Sequence, residues 1–407
     1  MSDRGWKQSL LQGIGNRIEV MAELYPRAYL SLTTFLALTG FACLAMFPLL
    51  VLAGVAGMYR ALVNAPGIAW SLLLAWALVA VFCGLVTYRI IRFRPRLPAG
   101  VALERGQAPD LFGLVEDTAE QYGRMGVDRI LITGGYQLDL IKTPRTALPA
   151  WSSCSLVIGL PLMQCLSSEQ FGCQLVRRLG QFSKRTNPLL NWLFELRDIW
   201  PRYRSADAWA DPAFLPVHLL FSVFAPVYTA VSTPAARLDE LQADRYAVEL
   251  CGDEEVLETI TTDAVNRLFL HERYWPAIRK LGARKAAVIT KTNTGIVRVL
   301  YAGLQDGNIE EWTVKAMSME QQWNDPRPLL AQRLDNIGHV HARMQARTGE
   351  SAAEDYLPAS GQPLRAALDK VMPPPRPELQ PWPVRMAGLK RRLQSAIHSL
   401  DAGEVSR

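Results

Sequence analysis

Residues 153–183 read SCSLVIGLPLMQCLSSEQFGCQLVRRLGQFS, and this stretch decides the fold. Ser153 to Ile158 is a short β-like run that stops at Gly159-Leu160-Pro161. A run of that kind closed by glycine and proline predicts a strand that ends in a turn. Ser167-Ser168-Glu169-Gln170 follows, a Ser-x-x-Gln box whose side chains satisfy the free N–H groups at a helix start. It opens a helix with Phe171, Leu175, Val176, Leu179 and Phe182 on its apolar side.

Working outward, Asp110 to Tyr122 predicts a helix with Leu111, Leu114, Val115 and Tyr122 on one side. Arg129 to Thr133 is a second short strand, ending at Gly134-Gly135. Arg237 to Leu250 predicts a helix, with Gly252 where a terminating glycine belongs and Asp253 placed to cap the next one. That next helix carries Val256, Leu257, Ile260, Ala264 and Leu268. The fold class is therefore mostly α with a small β-sheet.

Toward the N-terminus the chain changes character. Residues 28–59 and 61–88 carry no charge, and Arg60 alone separates them. A membrane span needs about 20 apolar residues, so each run is long enough. Arg4, Lys7, Arg17 and Arg27 precede the first run, and Arg89, Arg92, Arg94 and Arg96 follow the second. By the positive-inside rule both termini and the main domain are cytoplasmic, and the protein is an integral membrane protein with two spans. Trp6, Leu10, Leu11, Ile14, Ile18 and Met21 sit near helical spacing, either as an interfacial amphipathic helix or as an ordinary packing helix. Residues 212–236 are again uncharged but contain Pro216, Pro226 and Pro234. They read as a third span or as a buried, membrane-apposed helix.

The 407 residues carry a net charge of +6, with 49% hydrophobic and 20% charged residues. This excludes a disordered chain and a disulfide miniprotein. No basic tract interleaved with aromatics occurs, so nucleic acid is not an expected partner. The lipid bilayer is. The six cysteines form no C-x-x-C pair and read as free thiols in a reducing compartment. The divisions are 1–27, an N-terminal segment; 28–92, a transmembrane hairpin; 93–345, the main domain; 346–385, a Pro-rich linker; and 386–407, a basic helix and tail.

Three pieces of the main domain, taken in order, carry a resemblance. Gly159-Leu160-Pro161-Leu162 leads to a helix ending Leu179-Gly180-Gln181-Phe182-Ser183. Glu240-Leu241-Gln242-Ala243-Asp244-Arg245-Tyr246-Ala247 follows, and then Arg327-Pro328 with Arg333-Leu334. Together with the two spans they make residues 28 to 340 resemble the HtpX-like family of membrane zinc metallopeptidases, relatives of the CAAX prenyl proteases. The resemblance implies two transmembrane helices followed by a zincin-like metallopeptidase domain. In that family the three frames carry H-E-x-x-H-F-S, E-x-x-A-D-R-x-A and H-P-x-x-x-x-R-L. The two helical histidines and the second-motif glutamate hold zinc, the glutamate after the first histidine activates water, and the aspartate orients a ligand. The later histidine steadies the oxyanion.

Carried across residue by residue, the first zinc histidine falls on Arg177, the base on Arg178, the second histidine on Gln181 and the later histidine on Arg327. Only Glu240 and Asp244 are kept. A guanidinium stays protonated and cannot ligate zinc. No catalytic residue, metal or other cofactor is therefore expected at these positions. Buried Glu240 and Asp244 would instead need a cation, which predicts an Arg177–Glu240 or an Arg178–Asp244 ion pair. His218, His271, His339, His341 and His398 read as surface or packing residues.

The leading functional expectation is a membrane-anchored pseudopeptidase that binds polypeptide or regulates a partner. Ser153, Ser155 and Val157 are the candidate edge strand for strand addition. The alternatives are an active zinc metalloendopeptidase of membrane protein quality control with unorthodox ligands, and a membrane scaffold acting through the Pro-rich linker and basic tail.

Overall fold

A computed structural model describes residues 3–64, 69–93, 97–122, 126–144, 152–181, 188–204, 213–280, 297, 299–300, 303–304, 308–322, 325–344 and 350–357. The Pro-rich stretch at 372–383 and the basic helix at 386–400 lie outside these residues.

Three helices open the chain: α1 (Asp3–Leu24), α2 (Pro26–Asn64) and α3 (Ala69–Arg92). Among the described residues two helices are long and apolar enough to cross a membrane, Pro26–Val63 and Trp70–Arg92. They pack closely because α2 places small residues against α3. A Cβ on Gly57 would sit 2.5 Å from the Trp76 ring, and one on Gly54 would sit 3.0 Å from Ala80 Cβ.

Among the described residues the sheet has four strands, in the order β1-β2-β4-β3. These are β1 (Val101–Leu103), β2 (Arg129–Thr133), β3 (Leu138–Pro144) and β4 (Ser152–Gly159). β2 and β4 are parallel, and β1 and β3 run antiparallel on the outsides. The chain thus leaves β2, passes over the end of β4's place to build β3, and returns through β4. This overturns the expectation that Ser153, Ser155 and Val157 lie on an edge. Ser155 pairs with Arg129 of β2 and with Ile141 of β3, and Val157 with Leu131 and Asp139. Ser153 pairs with Thr143 of β3. β4 is central, so its ladder groups face neighbouring strands, and among the described residues the sheet's edges are β1 and β3.

Behind the sheet lie α4 (Pro109–Gln121), the short α5 (Leu160–Cys165) and α6 (Ser168–Gly180). The capping box forms in both directions. Ser167 Oγ accepts from the Gln170 N–H at 3.1 Å, and Gln170 Oε1 accepts from the Ser167 N–H at 3.4 Å. Leu111, Val115, Phe171, Leu175 and Leu179 are buried in one core with Ile130, Ile132, Leu156 and Ile158.

After α7 (Pro188–Ile199) come α8 (Leu215–Val231) and α9 (Thr233–Cys251), which meet at a 49° bend. α8 packs in a second core with α2, α3 and α7, around Trp200 and Phe221. Gly252 has φ 89°, a left-handed value that favours glycine, and it ends α9. The next helix, α10 (Asp253–Phe269), starts on Asp253 itself, with Gly252 at its N-cap. Asp253 therefore does not cap it; it sits in the first turn, where a negative charge suits the helix dipole.

A π-helical turn (Leu270–Tyr274), α11 (Trp275–Lys280), α12 (Ile309–Met317) and α13 (Leu330–Asn336) follow. The last described element, α14 (Ala352–Tyr356), lies within the range assigned above to the linker. Ala352, Ala353 and Leu357 are nonetheless buried in the main core, and the Ala352 N–H donates to the Leu166 carbonyl at 3.0 Å. The packed domain therefore extends past residue 345.

Candidate functional site

α6 and α9 cross with Arg177 and Arg178 on one side and Glu240 and Asp244 on the other. Helical spacing sets the acidic pair, while the adjacent Arg177 and Arg178 point in different directions. Glu240 and Asp244 are four residues apart and so share a face, as do Gln174 with Arg177 and Arg178 with Gln181 at three.

Arg177 bridges both carboxylates. It forms an ion pair with Glu240 through Nη2, and its Nε donates to Asp244 Oδ1 at 2.6 Å. Its Nη1 donates to Gln174 Oε1 at 3.3 Å. Of the two predicted pairs, Arg177–Glu240 is thus present. Arg178 turns toward the sheet instead of Asp244. It pairs with Asp139 of β3 and reaches Glu240 Oε1 at 3.3 Å. It also donates to Gln181 Oε1 at 2.5 Å and to the Leu138 carbonyl at 2.9 Å.

A third arginine was missed in the sequence. Arg333 of α13 grips Asp244 with two bonds, Nε to Oδ2 at 2.9 Å and Nη2 to Oδ1 at 2.8 Å. The sequence frame pointed to Arg327, but Arg327 is exposed on the loop before α13, and its backbone N–H donates to Asp325. The signal for Arg333 was the Arg-Leu that closes the same motif. An arginine six residues after Arg327 carries no mark of its own until α13 packs against α9.

Burial makes this network consequential. The Asp244 side chain is fully buried, and those of Arg177, Glu240 and Arg333 are 12%, 11% and 8% exposed. Burial alone would raise the Glu240 carboxyl, but Arg177 and Arg178 beside it hold it down at about 2. Burial would lower Arg177, and the Glu240 and Asp244 carboxylates reverse that and raise it. Removing one partner from such a group leaves an uncompensated buried charge and costs about 3–5 kcal/mol. Behind it, Asp263 and Arg267 of α10 pair at 2.9 Å.

Asp239, adjacent to Glu240, differs from its neighbours. It is 1% exposed, and neither carboxylate oxygen has a hydrogen-bond partner among the described residues. Burial, with the Glu240 charge, pushes its carboxyl up to about 7.

Zinc does not fit this arrangement. Guanidinium groups occupy the approach to Glu240 and Asp244 and use the lone pairs a metal would need. Among the described residues no group of three His, Cys, Asp or Glu side chains is placed to hold a metal ion. His339, beyond α13, lies 3.6 Å from an Asp253 oxygen, and His341 is exposed.

The open strand β3 borders this network. The Gln137 carbonyl accepts from the Gly159 N–H of β4 at 2.7 Å, so the next carbonyl, Leu138, points to the free side. That is the carbonyl Arg178 takes. The arrangement can therefore couple charge pairing in the helices to one end of the free strand edge.

Comparison with protein-family models, curated protein sequences and solved structures finds no match to the chain.

Proposed function

We propose that the protein is a membrane-anchored pseudopeptidase: a zincin-like frame of the HtpX-like kind, without metal or base, that binds polypeptide along β3 and acts through that binding. The observation that carries the reading is the Arg177–Glu240–Asp244–Arg333 network. At the positions where the resemblance calls for a dication and three ligands, fixed guanidinium charges balance the surviving carboxylates.

No side chain in this network is a general base for water. Glu240 is held ionised and fully engaged, and the position after the first family histidine is a cation. Polypeptide binding needs neither group. It needs an unpaired strand edge and pockets for alternate side chains, and β3 supplies the edge. Two apolar helices suited to crossing a membrane support the anchored location, with the main domain on the cytoplasmic side by the charge asymmetry of the flanks.

The test pairs elemental analysis with a binding assay on detergent-purified full-length protein. The zinc content is measured, and a fluorescently labelled, permanently unfolded polypeptide is titrated and followed for cleavage. The expected result is metal-free protein that binds the polypeptide and leaves it intact. One zinc per chain with chelator-sensitive cleavage would establish an active peptidase with unorthodox ligands. Metal-free protein with no affinity for the polypeptide would remove the binding function.

A further inference from the structure

Away from the charged network, a groove of about 930 Å³ runs between α12 and the segment 338–344. Ile309, Val314 and Met317 line one side, and Val340, Ala342 and Met344 the other. Gly338, with φ 84°, turns the chain after α13 into this second side. The floor is solid, because Leu304, Trp312 and Ala316 are buried in the main core. The mouth is open, with Val314 63% and Val340 75% exposed. An apolar groove on a packed floor suits the apolar face of a helix, and methionines in its walls adapt to what they touch. We propose that this groove holds the chain's own C-terminal segment, residues 386–400, as an amphipathic helix.

The sequence of that segment fits the groove in pattern and in charge. It reads MAGLKRRLQSAIHSL. Met386, Leu389, Leu393, Ile397 and Leu400 recur at steps of three and four, which places them on one helical face. Lys390, Arg391 and Arg392 stand beside that stripe, and the segment contains no acid. A helix of about 15 residues is marginal alone in water, and three adjacent cations weaken it further. It needs a surface that is apolar along its length and negative at its rim. Glu310 lines the groove, Glu311 follows it, and Glu320 stands just past the other end of α12. None of the three has an ion pair among the described residues. The nearby cations are already engaged: Lys315 pairs with Glu272, and Arg343 lies 3.7 Å from both Glu254 and Glu258.

The connection permits this docking. Leu357, the last described residue, is buried in the same core as Leu304 and Trp312. Residues 358–385 then supply 28 residues, a maximum span of about 90 Å. That is ample to reach α12 from any direction of exit. A tether of this kind makes docking intramolecular, so the segment meets the groove at an effective concentration that a free partner lacks. Anionic lipid would meet the same three cations, but it would leave the groove uncovered, with Val314 and Val340 in water. The cis segment satisfies both sides at once: it covers the apolar walls and brings cations to Glu310, Glu311 and Glu320. The inference rests on neither the charged network nor β3.

The test is site-specific photo-crosslinking of the full-length protein in liposomes of phosphatidylcholine and phosphatidylglycerol. Benzoyl-phenylalanine replaces Val314 in one form and Val340 in another, both exposed enough to take it. Chains with light and heavy isotopes are mixed before reconstitution, and linked peptides are identified by mass spectrometry. The expected result is a link from both positions to peptides within 386–400, light to light and heavy to heavy only. Leu389→Asp with Leu393→Asp is expected to lower the yield by about tenfold or more. Lys390→Glu with Arg391→Glu and Arg392→Glu is expected to lower it too. Both sets lie in the tail, outside the packed domain. Links joining light chains to heavy ones would assign the groove to a second copy and overturn the proposal. Links to lipid or to another part of the chain would overturn it as well. So would the absence of links, or a yield that the two leucine substitutions leave unchanged.

Discussion

At the scale of single residues, Asp239 is the buried carboxylate beside the network that no cation reaches. Its neighbours Glu240 and Asp244 are fully compensated by arginines, while its own two oxygens are unpartnered. With the folded carboxyl near 7 and the ordinary value near 3.8, the folded state holds a proton that the unfolded chain releases. The associated cost is absent below about pH 4, grows as pH rises between the two values, and is complete above about 7. Asp239→Asn, which keeps the shape without the charge, is therefore expected to raise the thermal midpoint at pH 8 and to change it little at pH 4. Melting in detergent at the two values checks this, and an equal shift at both would show that burial of charge is not the cause. Glu240 works in the opposite sense: held near 2, it contributes stability above the ordinary value of 4.5 that is lost as pH falls toward 2. This residue-level chemistry was partly legible. Arg177 and Glu240 were readable because a lost dication leaves carboxylates that need a cation. Arg333 and Asp139 were not, because their partnership depends on α13 and β3 coming to the same crossing.

At the scale of elements, β3 is the piece whose absence from the sequence reading misplaced the edge. Leu138-Asp139-Leu140-Ile141-Lys142-Thr143-Pro144 alternates only over its first residues, carries two charges and ends in proline. Proline and charge on a strand are marks of an edge, and they also hide the strand from a search for apolar runs. β4, by contrast, is apolar because it is buried on both sides, and it stood out for that reason. The same topology explains Gly159. The Gly134–Gln137 connection passes over the end of β4, and a Cβ on Gly159 would lie 1.9 Å from the Gly135 carbonyl oxygen. Backbone cannot yield as a side-chain tip does, so Gly159→Ala is expected to destabilise the domain by about 3 kcal/mol or more, at the upper end of overpacking costs. Denaturant unfolding in detergent measures it; a loss below about 1 kcal/mol would mean that the crossing loop moves aside freely.

At the scale of the whole molecule, the core around the sheet and the core around Trp200, which packs against the two long apolar helices, meet where α7 lies on α9. The sequence showed where the two long apolar helices lie, because uncharged length is what makes a helix suited to a bilayer. It did not show that packing continues past residue 345, because α14 is only five residues long and is recognisable only by what it covers. Ala352 sits against α5, Asp355 accepts from Ser168 Oγ, and the Tyr356 ring lies 5.9 Å from Phe171. Leu357 alone, 3% exposed, represents about 1.5–3 kcal/mol of burial. A chain ending after Leu357 keeps α14 and gives the reference denaturant midpoint. A chain ending after Met344 is expected to unfold at a clearly lower one, with Leu166 and Phe171 uncovered. Equal midpoints for the two truncations would mean that the closing helix adds nothing to the core. The contrast also separates stability from any role of the basic tail, since the longer truncation lacks residues 358–407 and keeps every described contact of α14.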